Sequence, residues 1–231
     1  VDKARGQIAG ALGCRPDEVY FTSCGSEGDN WALISGARSM RRRGKHIISS
    51  AVEHDAVRKS LDFLEKEGYE ITRLQPDGAG AIPLERVRAA LRPDTILVSL
   101  MMVNNETGAI NDIAAVARML KAENAAFGVA AEIGSAKMAE AVKTMAELRT
   151  HAIDRLTAEV EGVTVIGGGA PHILSISLPG YRSEVLMNFL EARSIYTSKS
   201  SACKKGGRSH VLEAIGLPSN VIDGALRISF S

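Results

Sequence analysis

A single cysteine stands in a short basic stretch near the end of the chain. Cys203 lies in "YTSKSSACKKGGRSHVLEAIG", residues 196–216, between a strand-like run and a probable helix. Basic side chains and the start of a helix favour the thiolate, which is the nucleophilic form of cysteine. A buried structural cysteine would stand among branched aliphatic residues instead. We therefore predict that Cys203 is a reactive nucleophile, and that Cys14 and Cys24 are inert.

A histidine follows one of the predicted strands. His54 comes just after "KHIISS", residues 45–50. Ligands of open α/β sheets bind at the carboxyl ends of the strands, so a histidine there can stack on a planar cofactor or transfer protons. The alternative is a histidine at a helix start whose ring is satisfied by solvent. The residues alone leave both interpretations open.

A turn of small residues precedes a predicted helix in "FTSCGSEGDN", residues 21–30. Gly25 and Ser26 stand where a strand passes directly into the helix. Free backbone N–H groups and a hydroxyl at such a point suit a phosphate. The alternative is an ordinary helix cap, with Ser26 as the N-cap residue.

Two amides and a carboxylate follow another strand-like run, in "VSLMMVNNETGAI", residues 98–110. Asn104, Asn105 and Glu106 would lie at the same sheet edge as His54, where they could orient a ring hydroxyl or a substrate. The alternative is an Asx-type turn closed by Gly108.

The elements that position these residues alternate regularly in the first part of the chain. The patterns predict strands at 18–23, 45–50, 69–74 and 95–101, and helices at 27–43, 54–68 and 83–91. Such alternation builds a mostly parallel sheet covered by helices.

The alternation stops further along the chain. Residues 112–162 have a helical pattern throughout, and no strand is predicted at 121–135, where the alternation requires one. Short strands at 163–167, 172–178, 195–198 and 225–231, with a helix at 183–193, then indicate a smaller α+β domain.

The totals exclude several classes of protein. The chain has 231 residues, 45% of them apolar and 24% charged, and a formal net charge of +1 at pH 7. This balance predicts neither a nucleic-acid partner nor a membrane partner. Three cysteines without a CxxC pair indicate no metal site and no disulfide framework. Reduced thiols and the lack of a signal-peptide pattern at Val1 predict a cytoplasmic protein.

Five stretches, in this order, resemble the cysteine desulfurases of the NifS/IscS kind, within the class V aminotransferase group of pyridoxal-phosphate enzymes. The matching stretches are "FTSCGSEGDNWAL", "HIISSAVEHDAV", "VSLMMVNNETGAI", "PHILSISLPG" followed by "SEVL", and "SKSSACKKGGRSHVLEAIGL" followed by "GALRISFS". The resemblance implies the α/β fold of type I pyridoxal-phosphate transferases. Residues 1–125 would then belong to the large cofactor-binding domain, and residues 126–231 would form the small α+β domain.

The resemblance also implies an activity. The enzyme would remove sulfur from L-cysteine, giving L-alanine and a persulfide on Cys203. His54 would stack on the ring of pyridoxal 5'-phosphate and exchange protons with the substrate. Asn105 would contact the phenolic oxygen of the ring and the substrate.

Three further residues receive roles from the same resemblance. Gly25 and Ser26 would bind the cofactor phosphate, although Cys24-Gly25-Ser26 replaces the glycine-glycine or glycine-alanine before threonine that the family more often has. Arg227, in "ALRISF", would bind the substrate carboxylate, because a guanidinium pairs with a carboxylate through two parallel hydrogen bonds.

The implied partners are a second copy of the chain, in a homodimer, and a transient acceptor such as a scaffold protein for iron–sulfur cluster assembly. Two other functions stay open. One is selenocysteine lyase activity on the same scaffold, and the other is a non-enzymatic sulfur relay or scaffold.

The chain departs from the family pattern at the covalent anchor of the cofactor. Segments before residue 1, the aspartate and glutamine that contact the pyridine ring, and the segment with the Schiff-base lysine find no match. The last three would fall between Asn124 and "AFGVAAEIGSAKM". Four lysines are predicted to be solvated instead of catalytic: Lys137, Lys143, Lys204 and Lys205. Either the lysine lies on a segment outside this sequence, or the protein is a deletion product that uses Cys203 alone.

Overall fold

The computed structural model describes residues 1–122, 127–128, 136–198 and 208–230. Within these ranges the chain forms nine α-helices and seven strands. The helices are α1 Asp2–Leu12, α2 Gly25–Met40, α3 Asp55–Lys66, α4 Leu84–Ala90, α5 Ile113–Ala122, α6 Ala136–Glu159, α7 Ser183–Glu191, α8 His210–Ala214 and α9 Ser219–Asp223. The strands are β1 His46–Ser50, β2 Glu70–Leu74, β3 Thr95–Val98, β4 Phe127–Gly128, β5 Thr164–Ile166, β6 Ile173–Ser177 and β7 Ala225–Ser229. None of the described helices has the length and apolar character of a membrane span.

The first sheet is parallel and has the order β2-β1-β3-β4. Strands β1 and β3 are buried along their whole length because helices cover both faces of the sheet. Helices α2 and α3 pack on one face and α4 and α5 on the other. The core residues on the α2 and α3 face include Leu33, Ile47, Leu61, Leu64 and Leu97. Those on the α4 and α5 face include Ile48, Val87, Val98, Val116 and Leu120. The predicted parallel sheet between helices is therefore confirmed.

The second sheet is antiparallel and has the order β5-β6-β7. Leu174, Ile176 and Leu226 on its strands pack against side chains of α6 and α7. The turn after β3 joins this sheet to the first one, since the N–H of Ala170 donates to the carbonyl of Gly108 at 2.9 Å. The domain boundary predicted between residues 125 and 126 lies outside the described residues and stays a prediction.

The strand predicted at residues 18–23 is wrong. Residues 16–18 form a 3₁₀ turn, and the following residues pair with none of the described strands. Tyr20 and Phe21 are exposed. A strand requires a neighbour to accept its backbone hydrogen bonds, and the local pattern of branched and aromatic residues does not reveal whether one is present.

Two smaller differences concern the positions of short strands. Phe127 and Gly128 form the short strand β4, which pairs in parallel with β3, although no strand was expected at 121–135. The strand predicted at 195–198 is reduced to a single bridge between Ser198 and Arg227.

Glycine at position 44 is required by a close approach of two backbone segments at the start of β1. A Cβ atom on Gly44 would lie 2.1 Å from the carbonyl oxygen of Asp94. We expect Gly44→Ala to lower the free energy of unfolding by roughly 3 kcal/mol or more, because backbone atoms on both sides must move. Urea denaturation measures this change.

Gly36→Ala is the matched control for this substitution. Gly36 lies within α2, and a Cβ atom there would meet nothing within 4 Å. Alanine should raise the stability there by about 0.5–1 kcal/mol, since glycine has the lower helix propensity. Equal unfolding free energies for Gly44→Ala and the unmodified chain would contradict the predicted clash.

Candidate active site

A cavity of about 330 Å³ opens at the carboxyl end of β3, the sheet edge at which the sequence predicts a ligand. Its polar wall consists of side chains from α2, from the connection between β1 and α3 and from the segment after β3. Its apolar wall comes from α2, α3, β3 and the same segment after β3. The polar residues of the wall are Asp29, Glu53, His54 and Ser99, and the apolar ones include Leu33, Val57, Leu97 and Met101. A cavity of this size lies at the lower end of the range for small-molecule sites, about 300–1,000 Å³.

His54 lies at the cavity wall and also caps the amino end of α3. Its Nδ1 atom accepts the N–H of Ala56 at 3.2 Å. In the neutral ring this bond places the proton on Nε2, because the acceptor nitrogen must be unprotonated. The two interpretations of His54 left open by the sequence are thus compatible: it starts a helix and it borders the cavity.

Glu53 is a site residue that the sequence analysis missed. It is 2% exposed. Its Oε1 atom accepts the Ser50 hydroxyl at 2.7 Å and the Met101 N–H at 3.1 Å. Burial raises the pKa of Glu53 to about 7, although both hydrogen bonds favour the ionised form. Its position beside His54, directly after a strand, was the signal that could have revealed it.

Asp29 completes the polar wall from the side of α2. Partial burial raises the pKa of its carboxyl, while the charge of His54 acts in the opposite direction. Glu53 and Asp29 in turn repel each other, which contributes to the raised pKa of Glu53. Two acids and one imidazole therefore influence one another across the same cavity.

The raised pKa of Glu53 predicts a pH-dependent stability. The pKa of about 7 in the folded state exceeds the ordinary value of 4.5 for a glutamate, so the folded state holds the proton more tightly than the unfolded state. The associated stability is present below about pH 4.5 and is lost as the pH rises through 7. The difference between the two pKa values corresponds to a change of roughly 3 kcal/mol in the free energy of unfolding.

Glu53→Gln should remove this dependence, since glutamine imitates the protonated acid at every pH. We expect the stability of Glu53→Gln relative to the unmodified chain to increase by up to roughly 3 kcal/mol between acidic and alkaline pH. Urea denaturation across that range tests the difference. Parallel pH profiles for the two proteins would show that Glu53 ionises normally.

Gly25 and Ser26 are the first two residues of α2, and both are exposed. The N-cap is Cys24 instead of Ser26, so the alternative of a serine cap is not realised. The first backbone N–H groups of a helix lack intrahelical partners and attract anions. Neither residue lines the cavity, but Asp29 does so from the next turn of α2.

Asn104 has a structural role. Its side-chain oxygen accepts the N–H groups of Glu106 and Thr107 at 2.9 and 3.0 Å, and its amide donates to the Val52 carbonyl at 3.0 Å. Gly108 closes the turn with a φ of 73°. The Asx-type turn considered in the sequence analysis is therefore present at Asn104, while the half-buried Asn105 lies at its tip.

Arg227 meets the same turn from β7. Its Nη1 donates to the carbonyl of Asn105 at 2.8 Å, and its Nε donates to the Ser198 hydroxyl at 3.1 Å. The backbones of Ser198 and Arg227 exchange two hydrogen bonds, of 3.1 and 2.7 Å. The structure thus brings together Asn105 and Arg227, the two residues predicted to bind substrate.

Cys203 itself lies outside the described residues, as do all of residues 199–207. The residues that flank this segment are described on both sides. Ser198 pairs with Arg227, and the Ser209 hydroxyl donates to the carboxylate of Glu106. The nucleophile's role therefore remains a prediction from sequence. The Ser209 flank contacts the turn that contains Asn105 directly, and the Ser198 flank is connected to it through Arg227.

Pyridoxal phosphate requires an anion site, a surface for its ring and, for covalent attachment, a lysine. The amino end of α2 could supply the first, and the ring of His54 at the cavity wall could supply the second. None of the described residues lining the cavity is a lysine. Lys143 is exposed, and its Nζ lies 4.0 Å from Oε1 of Glu147. The side chain of Lys137 and all of Lys204 and Lys205 lie outside the part of the chain that is described. The described residues could therefore hold the phosphate and the ring, and the described part of the cavity wall offers no lysine for a covalent bond.

Comparison with protein families gives a match to aminotransferase class-V over residues 1–132. Among characterised sequences, a cysteine desulfurase IscS of Shewanella sediminis is 44% identical over 145 residues, which is 63% of this chain and 36% of the relative. An IscS of Vibrio cholerae is 45% identical over 145 residues, with the same coverage. The chain thus spans little more than a third of the length of these relatives.

The fold is also found in solved structures. A NifS-like protein matches 99% of this chain and 81% of its own with a TM-score of 0.87 and 25% identity. DndA from Streptomyces lividans matches 99% of this chain and 87% of its own, with a TM-score of 0.79 and 28% identity. These matches confirm the predicted α/β fold, and the family match covers more than half of the chain. The chain belongs to the aminotransferase class-V family.

Proposed function

We propose that the chain functions as a pyridoxal-phosphate-dependent cysteine desulfurase, which transfers the sulfur of L-cysteine to Cys203 and releases L-alanine. The observation that supports this most directly is the contact of Arg227 with Asn105 and Ser198. The guanidinium of Arg227, to which we assign carboxylate binding, contacts both the turn with Asn105 and Ser198, which precedes the Cys203 segment. The names of the IscS relatives agree with this assignment.

Each described site residue has a binding role in this proposal. The backbone N–H groups of Gly25 and Ser26 hold the phosphate at the positive end of α2. His54 lies against the ring, and the side-chain amide of Asn105 contacts the ring hydroxyl. Arg227 exchanges its Ser198 contact for the substrate carboxylate, which offers the stronger charge-assisted hydrogen bonds.

The cofactor, when bound, supplies an electron sink for the substrate Cα. His54 holds or releases the proton at Nε2, since its Nδ1 is engaged with Ala56. The Cys203 thiolate attacks the substrate sulfur, so that an S–S bond forms while the C–S bond of the substrate breaks. Atoms balance without a further reagent: one sulfur atom moves to Cys203, and the remainder of L-cysteine becomes L-alanine.

The assembly and the sulfur acceptor belong to the same proposal. We expect a cytoplasmic homodimer that passes the persulfide sulfur to an acceptor such as an iron–sulfur scaffold protein. Exposed aromatic side chains support self-association: Tyr20 is 67% and Trp31 47% exposed, and their ring centroids lie 5.1 Å apart. Apolar surface of this kind is often covered by a partner subunit.

A sulfur relay without its own desulfurase chemistry is the second candidate. It is favoured by one observation, namely that no lysine occurs among the described residues of the cavity. In that case Cys203 would receive sulfur from another persulfide and the cavity would play no part in the reaction.

Alanine formation separates the two candidates. The purified chain is incubated with pyridoxal phosphate and L-cysteine, and alanine is quantified with and without the cofactor. The desulfurase proposal predicts alanine that requires the cofactor. A chain that accepts sulfur from a small persulfide donor, but forms no alanine, would support the relay and overturn the desulfurase proposal.

A further inference from the structure

The buried carboxyl of Glu53 has no role in the reaction described above. It borders the cavity beside His54 and opposite Asp29. A buried acid reduces stability unless its contacts offset the cost of removing it from water. Its hydrogen bonds therefore indicate what it does for the surrounding elements.

Glu53 connects three elements near the cavity. The Ser50 hydroxyl at the end of β1 and the Met101 N–H after β3 both donate to its Oε1. Its backbone carbonyl lies 3.1 Å from Nε2 of His210, the first residue of α8. Because the next residue is His54, these contacts fix the point at which the chain enters α3.

The charges around Glu53 connect it to His54 as well. Among the described residues, three titratable groups lie around it: Asp29 from α2, His54 from its own connection and His210 from α8. Asp29 interacts electrostatically with both Glu53 and His54. A change in the charge of Glu53 therefore alters the field at the imidazole through Asp29.

We propose that Glu53 is the positioning residue for His54: its buried carboxyl joins the ends of β1 and β3 and thereby holds the imidazole at the cavity wall. Its significance for catalysis rests on the proposed function, in which His54 faces the cofactor ring. The positioning itself is a property of the folded chain and can be measured without cofactor or substrate.

The test compares Glu53→Gln and Glu53→Ala by NMR of the histidine rings between about pH 5 and about pH 9. His54→Gln assigns the His54 signals. Glutamine keeps an oxygen that accepts from Ser50 and Met101 but cannot ionise, whereas alanine loses both contacts. Glu65→Gln, on the outer part of α3, is the matched control because Glu65 pairs with Arg73 at the surface.

In acidic solution the His54 signals of Glu53→Gln should coincide with those of the unmodified chain. Near neutral pH the His54 signals of the unmodified chain should move away from those of Glu53→Gln, because Glu53 ionises there and glutamine does not. Glu53→Ala should displace the His54 signals at every pH. Glu65→Gln should change neither the positions of the His54 signals nor their dependence on pH.

Unchanged His54 signals in folded Glu53→Ala would overturn the proposal. If Glu53→Ala does not fold, Ser50→Ala replaces it, because this variant removes the hydroxyl that donates to the Glu53 carboxylate at 2.7 Å. Unchanged His54 signals in folded Ser50→Ala would then overturn the proposal equally. Since neither measurement includes pyridoxal phosphate or L-cysteine, failure of the desulfurase proposal would appear only in the alanine assay.

Discussion

We expect Cys203→Ser to reduce persulfide and alanine formation from L-cysteine by roughly a thousandfold or more. The reason is chemical, because a serine hydroxyl is a far weaker nucleophile toward sulfur than a thiolate and forms no persulfide. The rate of alanine release and the mass of the protein after reaction measure the two effects. Cofactor binding should persist, since the proposed cofactor contacts of His54 and Asn105 are unchanged.

The other two cysteines are matched controls. Cys24 is exposed and Cys14 is half-buried, and both are free thiols in the structure. Cys14→Ser and Cys24→Ser should retain alanine formation within about twofold, since surface substitutions rarely alter catalysis or stability strongly. Loss of activity in Cys24→Ser with full activity in Cys203→Ser would reverse the assignment of the nucleophile.

Arg227→Ala should raise the KM for L-cysteine by about 10- to 100-fold, which corresponds to the loss of a charge-assisted hydrogen bond of about 1.5–3 kcal/mol. Arg227→Lys should recover only part of this loss, because an ammonium group cannot form the two parallel bonds of a guanidinium. Steady-state kinetics of alanine release measure KM and kcat for both variants.

Ser198→Ala separates substrate binding from local structure. This variant removes the acceptor of the Arg227 Nε–H but leaves the Arg227 contact with the Asn105 carbonyl. We expect a KM within about threefold of the unmodified value. If Arg227→Ala lowers kcat and leaves KM unchanged, Arg227 does not bind the substrate carboxylate.

The sequence predicted the position of the candidate site because the two central strands of the parallel sheet, β1 and β3, have a clear pattern. Strands β1 and β3 are short apolar runs followed by polar residues, and parallel strands end at one edge of the sheet. His54 after β1 and Asn105 after β3 were identified in this way. The distinction between Asn104 and Asn105 came from the family resemblance, and it agrees with the buried hydrogen bonds of Asn104.

Features that depend on distant partners were not predictable. The N–H of Met101, 48 residues away in sequence, donates to the buried carboxylate of Glu53. The run at 18–23 has the composition of a strand but lacks a neighbour among the described strands. Both depend on what lies beside a residue in space, which local periodicity does not report.

The proposed desulfurase function is tested most directly by the mass of the peptide that contains Cys203 after the chain has reacted with pyridoxal phosphate and L-cysteine. We expect this peptide to gain the mass of one sulfur atom and alanine to appear in equal amount during the first turnover, while the peptides with Cys14 and Cys24 stay unchanged. Alanine formation with an unmodified Cys203 would contradict it.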